Sequence, residues 1–216
     1  PKALRLLMQN DLFQTEGSSD TRYIHNLGDA LISEYPSAFN SAEATAYLDC
    51  LINETPWRQD ALWIAGKKRI LPRLQCWMGD PGASYKYSGL ILKLENWSRL
   101  VLSIKTRVES LTNKKFNSVL LNYYRNGLDS VSWHADDETE LGSNPIIGSV
   151  SFGVERTLHF RPKSKTDSRK FILKQRHGSV LLMGETLQHN WLHQLPKEKT
   201  IKEPRINLTF RYIYQL

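Results

Sequence analysis

Two stretches in the first half of the chain repeat their apolar positions with a helical period. Ala44, Tyr47, Leu48, Leu51 and Ile52 follow i, i+3, i+4, i+7 spacing, with Ser41 placed to cap a helix and Pro56 to end it. Trp97, Val101, Ile104, Val108 and Leu111 form a second stripe, with Arg99, Lys105 and Arg107 around the rest of the barrel. Stripes of this kind are core-facing surfaces that pack on a sheet. From Phe116 onward the helical period disappears. Residues 117–124, 146–152, 157–161, 171–174, 180–183, 191–195 and 206–213 are short β-prone runs bounded by turn residues, and Asn126-Gly127 is a strong turn signal. With the stretch around His134 this makes about eight strands, which predicts an α+β protein whose core, over residues 116–213, is a two-sheet jelly roll with helices packed on one sheet.

The remaining segments read differently. Residues 1–20 hold Leu4, Leu6, Leu7, Met8, Leu12 and Phe13 and end in Gly17-Ser18-Ser19-Asp20, a short surface extension followed by a loop. Between the helices, Lys67, Lys68, Arg69 and Arg73 alternate with Trp63, Ile64, Ile70, Leu71 and Trp77, and Tyr85 and Tyr87 share a face if extended. Cations that neutralise phosphates beside flat rings that stack on bases are what a nucleic-acid surface requires. A twisted ribbon with inward aromatics and solvated lysines has the same pattern. A polar connection over residues 162–170, with Lys163, Lys165, Arg169 and Lys170, reads as an exposed basic loop able to reach a phosphate.

Composition narrows the class. A net charge of +7, with a pI near 9.4, favours a polyanionic partner. Two cysteines, Cys50 and Cys76, exclude a disulfide framework and a Cys-rich zinc site, and fit a reducing compartment. No run approaches about 18 consecutive apolar residues, so a soluble, intracellular protein with no membrane partner is expected. At 216 residues a single domain is the expectation.

The chemistry centres on residues 131–138, where His134 and Asp136 stand two apart. Residues i and i+2 of an extended strand point to one side, and Val131 and Trp133 favour that geometry. His193 offers a second imidazole. Two histidines and a carboxylate on one face of a metal are the ligand set of non-haem Fe(II) oxygenases, although an isolated H-x-D is ordinarily an exposed polar loop. Of the other histidines, His25 and His159 are isolated, and His177 precedes Gly178 at a turn. His189 lies four residues before His193, too far along a strand to share its ion. Arg205, Asn207, Thr209 and Arg211 then fall on one face of a strand. Two arginines aimed into a β-sandwich are costly unless they meet anions. A dicarboxylic acid satisfies both through charge-assisted bonds, with Asn122 and Tyr124, on one face of their own strand, as neutral donors. An internal ion pair with Asp136 or Asp137 accounts for one arginine but not for two.

In the order His134-x-Asp136, His193 and Arg205-x-Asn207-x-x-x-Arg211, with Asn122-x-Tyr124 upstream, the sequence resembles the AlkB family of Fe(II)/2-oxoglutarate dioxygenases. The likeness runs from about Trp63 to Ile213. Pro72-Arg73 leading to Gly79-Asp80, Tyr85-x-Tyr87-Ser88-Gly89 and Ile146-Ile147-Gly148-Ser149-Val150-Ser151-Phe152-Gly153 are similar to the branch that repairs DNA. The resemblance implies a double-stranded β-helix, a single dioxygenase domain over residues 1–216, and a nucleotide-recognition lid over residues 62–89. It implies Fe(II) held by His134, Asp136 and His193. It also implies 2-oxoglutarate held by Asn122, Tyr124, Arg205, Asn207 and Arg211, with Arg205 and Tyr124 at the distal carboxylate and Arg211 and Asn122 nearer the metal.

The implied reaction is oxidative demethylation of bases such as 1-methyladenine and 3-methylcytosine in DNA, releasing succinate, CO2 and formaldehyde. The base is flipped out and sandwiched by Tyr87 and His134, with Tyr85 at its sugar or phosphate and Asp137 or Glu138 facing a cationic ring. Arg73 and Trp77 join the substrate contacts. Some duplex-repair members carry an aromatic wedge near the position of Ile64-Ala65-Gly66; Ala65 is too small for one, so any intercalating role would fall to Trp63 or Ile64. The expected partner is alkylated DNA, single- or double-stranded, with RNA as a further candidate. The expected state is a monomer, cytoplasmic in a bacterium or nuclear in a eukaryote. The rivals are an RNA or protein demethylase of the same family, a non-catalytic nucleic-acid-binding module, and a cupin-like metal store. Intact candidate ligands and both arginines argue against the last two.

Overall fold

The computed structural model describes residues 21–64, 66–83, 86–87, 90–184 and 186–214. The extension expected over residues 1–20, and Tyr85, lie outside the described residues. The described chain begins with a hairpin, β1 (Tyr23–Asn26) and β2 (Leu31–Tyr35), and helix α1 (Ser41–Glu54) follows. Its cap is Asn40 rather than the expected Ser41. Asn40 has the extended backbone a cap needs, and its side chain accepts from the Glu43 amide at 2.9 Å. The helix stops at Glu54, with extended Thr55 before Pro56.

Strands β3 (Ala61–Ile64) and β4 (Lys67–Ile70) form a separate antiparallel hairpin. Then come β5 (Leu74–Gly79), the short pair β6 (Lys86–Tyr87) and β7 (Leu90–Ile91), and β8 (Leu94–Glu95). Helix α2 (Arg99–Thr112) is capped by Ser98, whose hydroxyl accepts from the Val101 amide, so Trp97 lies just before the helix. The strand-rich half runs β9 (Ser118–Tyr124), β10 (Val131–His134), β11 (Ile147–Gly153), β12 (Arg156–Pro162), β13 (Phe171–Gln175) and β14 (Ser179–Met183). One turn of helix, α3 (Leu187–Asn190), leads into β15 (Trp191–Leu195), and β16 (Arg205–Arg211) completes the series.

Among the described residues these strands make a large sheet, in the order β1-β2-β14-β11-β16-β9-β5-β8, and a small one, β10-β15-β12-β13. Strand alternation divides the large sheet's side chains between two layers. Ile206, Leu208 and Phe210 of β16, with Val119 and Leu121 of β9, pack against Ala44, Tyr47, Leu51, Val101, Ile104 and Val108 of the helices. From the opposite face, Leu120, Ile147, Leu181 and Met183 meet Leu158, Phe160, Leu173 and Trp191 of the small sheet. Two sheets over a shared core, with helices on one of them, is the arrangement expected of a jelly roll.

The same layering corrects one expectation. Residues 62–89 do not form one continuous lid, because β5 is an inner strand of the large sheet, pairing with β9 from Leu74↔Tyr123 to Gly79↔Ser118. Trp77 therefore sits in the core between the sheets, 2% exposed, with its indole N–H donated to the Ala83 carbonyl at 3.2 Å. It has no face on which a base could stack.

Candidate active site

Antiparallel pairing of β10 and β15 sets His134 directly across from His193. Their ring centroids are 4.2 Å apart, and both face the space between the sheets. Asp136, two residues past His134, is held from behind by Gln188 of α3, whose side-chain oxygen accepts from its amide at 3.0 Å. The Asp136 carboxylate is buried. Its Oδ1 accepts from Arg211 at 2.7 Å, and its Oδ2 is buried with no hydrogen-bond partner among the described residues. His134 Nδ1 lies 2.8 Å from the Ser132 carbonyl. A carbonyl only accepts, so Nδ1 carries the proton and Nε2 keeps its lone pair.

Enclosure sets the charge states. Burial lowers the His193 pKa to about 3, helped by neighbouring His134, and burial lowers that of His134 as well. Burial alone would raise the Asp136 pKa, but Arg211 and the two imidazoles bring it down to about 2. Near neutral pH the group is two neutral imidazoles and one carboxylate, the protonation states in which these side chains bind metals. Among the described residues no three His, Cys, Asp or Glu side chains already stand together as a metal-binding group; Arg211 occupies one oxygen of the carboxylate.

These side chains line a cavity of about 50 Å³ that continues to Arg205. Its lining includes three guanidinium groups, from Arg73, Arg205 and Arg211, and one carboxylate, from Asp136. Arg211 is paired with that carboxylate, as the ion-pair alternative foresaw for one arginine. Arg205 is 2% exposed, with no carboxylate within ion-pair distance among the described residues. Its Nη2 donates to Ser151 Oγ at 2.8 Å and to Gln175 Oε1, the Tyr124 ring lies 5.3 Å from its guanidinium carbon, and its Nε is buried without a hydrogen-bond partner among the described residues. Burial lowers its pKa to about 10, so it remains a cation.

The other expected acid-binding residues line the same cavity, partly engaged already. Asn122 accepts with Oδ1 from Arg73 Nε (2.9 Å) and Gln75 Nε2 (3.0 Å), which leaves its NH2 end as the donor. Asn207 donates to Ser149 Oγ and to the Val150 carbonyl, each at 2.8 Å, and accepts from Thr209 at 2.9 Å. Its amide thus ties β16 to β11.

The expected substrate contacts lie in different surroundings. Arg73 is buried in the cavity wall and is no surface contact for a phosphate. Asp137 is exposed and accepts from Lys163 at 2.6 Å. Glu138 is half-buried. Tyr87 falls on β6, but its side chain lies outside the described residues. In the basic loop, Arg169 is exposed but engaged, donating to Asp167, Asp29 and the Leu27 carbonyl and lying over the Trp191 ring. His189 contacts the Ser143 carbonyl and does not line the cavity. Gln175, Ser151 and Gln188 were missed. Neutral polar residues on strands and turns give no signal until the register reveals what they face.

An enclosed set of paired imidazoles, a carboxylate and a spare guanidinium suits a metal together with an organic acid. The sequence profile of the 2OG-Fe(II) oxygenase superfamily matches residues 31–211, which include every residue of the cavity. Human alpha-ketoglutarate-dependent dioxygenase alkB homolog 3 is 37% identical over 188 residues, 83% of this chain and 65% of that protein. Human DNA oxidative demethylase ALKBH2 is 37% identical over 205 residues, covering 91% of this chain and 78% of its own. The protein of the same name from Arabidopsis thaliana is 32% identical over 200 residues, covering 79% and 62%. The chain spans about 65% of the length of the alkB homolog 3 proteins it matches. A solved structure described as "The structure of OsALKBH1" superposes with a TM-score of 0.52 at 14% identity, covering 88% of this chain and all of that one, and supports the jelly-roll fold. The chain belongs to the AlkB family of the 2OG-Fe(II) oxygenase superfamily, whose name specifies Fe(II) and 2-oxoglutarate.

Proposed function

We propose that this chain is an oxidative demethylase of N-alkylated bases in DNA, of the 1-methyladenine and 3-methylcytosine type. His134, Asp136 and His193 would hold Fe(II), and the donors fit it: two neutral imidazoles and a buried carboxylate oxygen without a hydrogen-bond partner. Arg205 with Tyr124 would hold the far carboxylate of 2-oxoglutarate, with Asn122, Asn207 and Arg211 along the acid. When bound, iron and 2-oxoglutarate supply with O2 the oxidation of an N-methyl group to hydroxymethyl, releasing succinate and CO2; the hydroxymethyl group then leaves as formaldehyde.

The chain's own residues bind and orient. Arg205 gives the acid a desolvated cation, and Gln188 fixes the backbone of Asp136. The Ser132 carbonyl sets the His134 tautomer, leaving Nε2 with the lone pair that would bind the ion. The two sheets keep bulk water from the reacting atoms. We read the β3–β4 hairpin, with Trp63 74% exposed and Lys67, Lys68 and Arg69 also exposed, as the part of the nucleotide-recognition lid that grips DNA around a flipped base. Tyr85, Tyr87, Asp137 and Glu138 would contact the base or its sugar, and Arg73 would line its cavity.

The observation that carries this reading is the uncompensated, buried Arg205 in one cavity with the His134–His193 pair and the orphaned Asp136 oxygen. The test is a lesion panel of 1-methyladenine, 3-methylcytosine and ethenoadenine in single- and double-stranded DNA and in RNA, with formaldehyde and succinate as readouts. Methylated DNA should release both. Release from RNA alone would move the substrate to RNA. Fe(II)-dependent succinate with no substrate repaired would move it to another class.

A further inference from the structure

Of the three arginines that line the cavity, the two on β16 are treated in opposite ways. Arg211 is neutralised by Asp136 at 2.7 Å. Among the described residues, the Arg205 guanidinium contacts only neutral groups: the Ser151 hydroxyl, the Gln175 amide oxygen and the Tyr124 ring. Glu198, the acid whose charge reaches this end, is engaged elsewhere, accepting from Arg156 Nε at 2.9 Å and from the Thr157 amide at 3.1 Å.

Gln175 is the last residue of β13, in the small sheet, and is 2% exposed. Ser151 belongs to β11, in the large sheet. The same nitrogen, Arg205 Nη2, is thus gripped from both sheets at once, which stops the planar head from swinging. Chemistry at position 175 then decides what that head offers a ligand. A carboxylate of the same shape would form an internal ion pair and cancel the charge. A hydrocarbon would leave one N–H without an acceptor and free the head to turn. An amide oxygen orients the group and leaves its charge intact.

We infer that Gln175 is a positioning residue for the co-substrate's far carboxylate, orienting Arg205 for the acid without neutralising it. This rests on the reading of Arg205 as the acid's anchor given above. Preorganised cations hold carboxylates more tightly because the cost of ordering them is met during folding.

The test is calorimetric binding of 2-oxoglutarate to the full chain loaded with Fe(II), with O2 excluded so that nothing turns over. Oxalate is the control: it can chelate a metal but has no far carboxylate. Gln175→Glu is expected to weaken 2-oxoglutarate by about tenfold or more, and Gln175→Leu by about threefold to tenfold, with oxalate unchanged in both. In turnover, KM for 2-oxoglutarate should rise in step while kcat at saturation holds. Parent-like 2-oxoglutarate affinity in Gln175→Glu overturns the inference, and so does an equal loss for both acids, which would mark a general structural role. Failure of the parent chain itself to bind 2-oxoglutarate would instead remove the reading of Arg205 on which the inference stands.

Discussion

Arg211 donates to Asp136 Oδ1 across 2.7 Å, and both side chains are buried between the sheets. The pair keeps the carboxylate ionised and restrains one of its oxygens, while the other has no hydrogen-bond partner among the described residues. Breaking a buried pair by removing one partner leaves a charge that nothing nearby offsets. Arg211→Met should therefore lower stability by about 3–5 kcal/mol. Arg211→Met combined with Asp136→Asn should recover much of that loss. Urea unfolding measures both, and an Arg211→Met chain as stable as the parent would show that the pair is not the counter-charge described.

Two tryptophans on neighbouring segments should behave in opposite ways. Trp77→Ala empties a core position and should cost about 3–5 kcal/mol. Trp63→Ala, on the exposed face of the hairpin, should change stability by less than about 0.5 kcal/mol while weakening binding to an alkylated oligonucleotide. Thermal melts paired with fluorescence anisotropy separate the two. A large loss of stability in Trp63→Ala, or none in Trp77→Ala, would contradict the layering of these strands.

That contrast also shows what the sequence made legible. Strand β15 falls on the predicted residues 191–195, and the polar face of Arg205, Asn207, Thr209 and Arg211 lines the cavity as period-2 alternation requires. His134, Asp136 and His193 could be picked out from spacing and strand pattern, and the structure brings all three to one cavity. Trp77 misled because β5 is covered on both faces, so its one ring beside neighbouring cations resembles a surface ribbon until the pairing with β9 is known. Strands β1 and β2 were missed because Tyr23, Ile24 and Leu31 are exposed apolar residues with no clean alternation. Gln175 and Ser151 acquire meaning only when two sheets bring them to the same nitrogen.

Acid should weaken the fold through Asp129. Burial raises its pKa, but Arg125, with contacts of 2.7 and 2.9 Å from its side chain and 3.0 Å from its amide, holds the carboxyl below the usual value of 3.8. A folded pKa below the unfolded one means that the ionised form stabilises the native state. That contribution is complete above the ordinary carboxylate range and is lost as pH falls through the depressed value. Unfolding free energy should drop below about pH 4, and less steeply in Asp129→Asn than in the parent. Identical acid limbs for the two proteins would remove Asp129 as a cause.

Neither cysteine should react in the native state. Both are buried, and burial, with Glu95 nearby, pushes the Cys76 thiol up to about 12; burial raises Cys50 as well. The nucleophile is the thiolate. Iodoacetamide at about pH 8 should leave the folded chain unmodified and label both residues in denaturant. Rapid native-state labelling of Cys76 would contradict the packing of β5 against the helices.

Everything proposed for the reaction depends on His134, Asp136 and His193 sharing a ferrous ion. Anaerobic equilibrium dialysis of Fe(II) against the parent chain and against His193→Ala tests this most directly, with circular dichroism to confirm that both are folded. The parent should bind equimolar Fe(II), and folded His193→Ala should lose most of that affinity. Parent-like iron binding by His193→Ala would contradict the account.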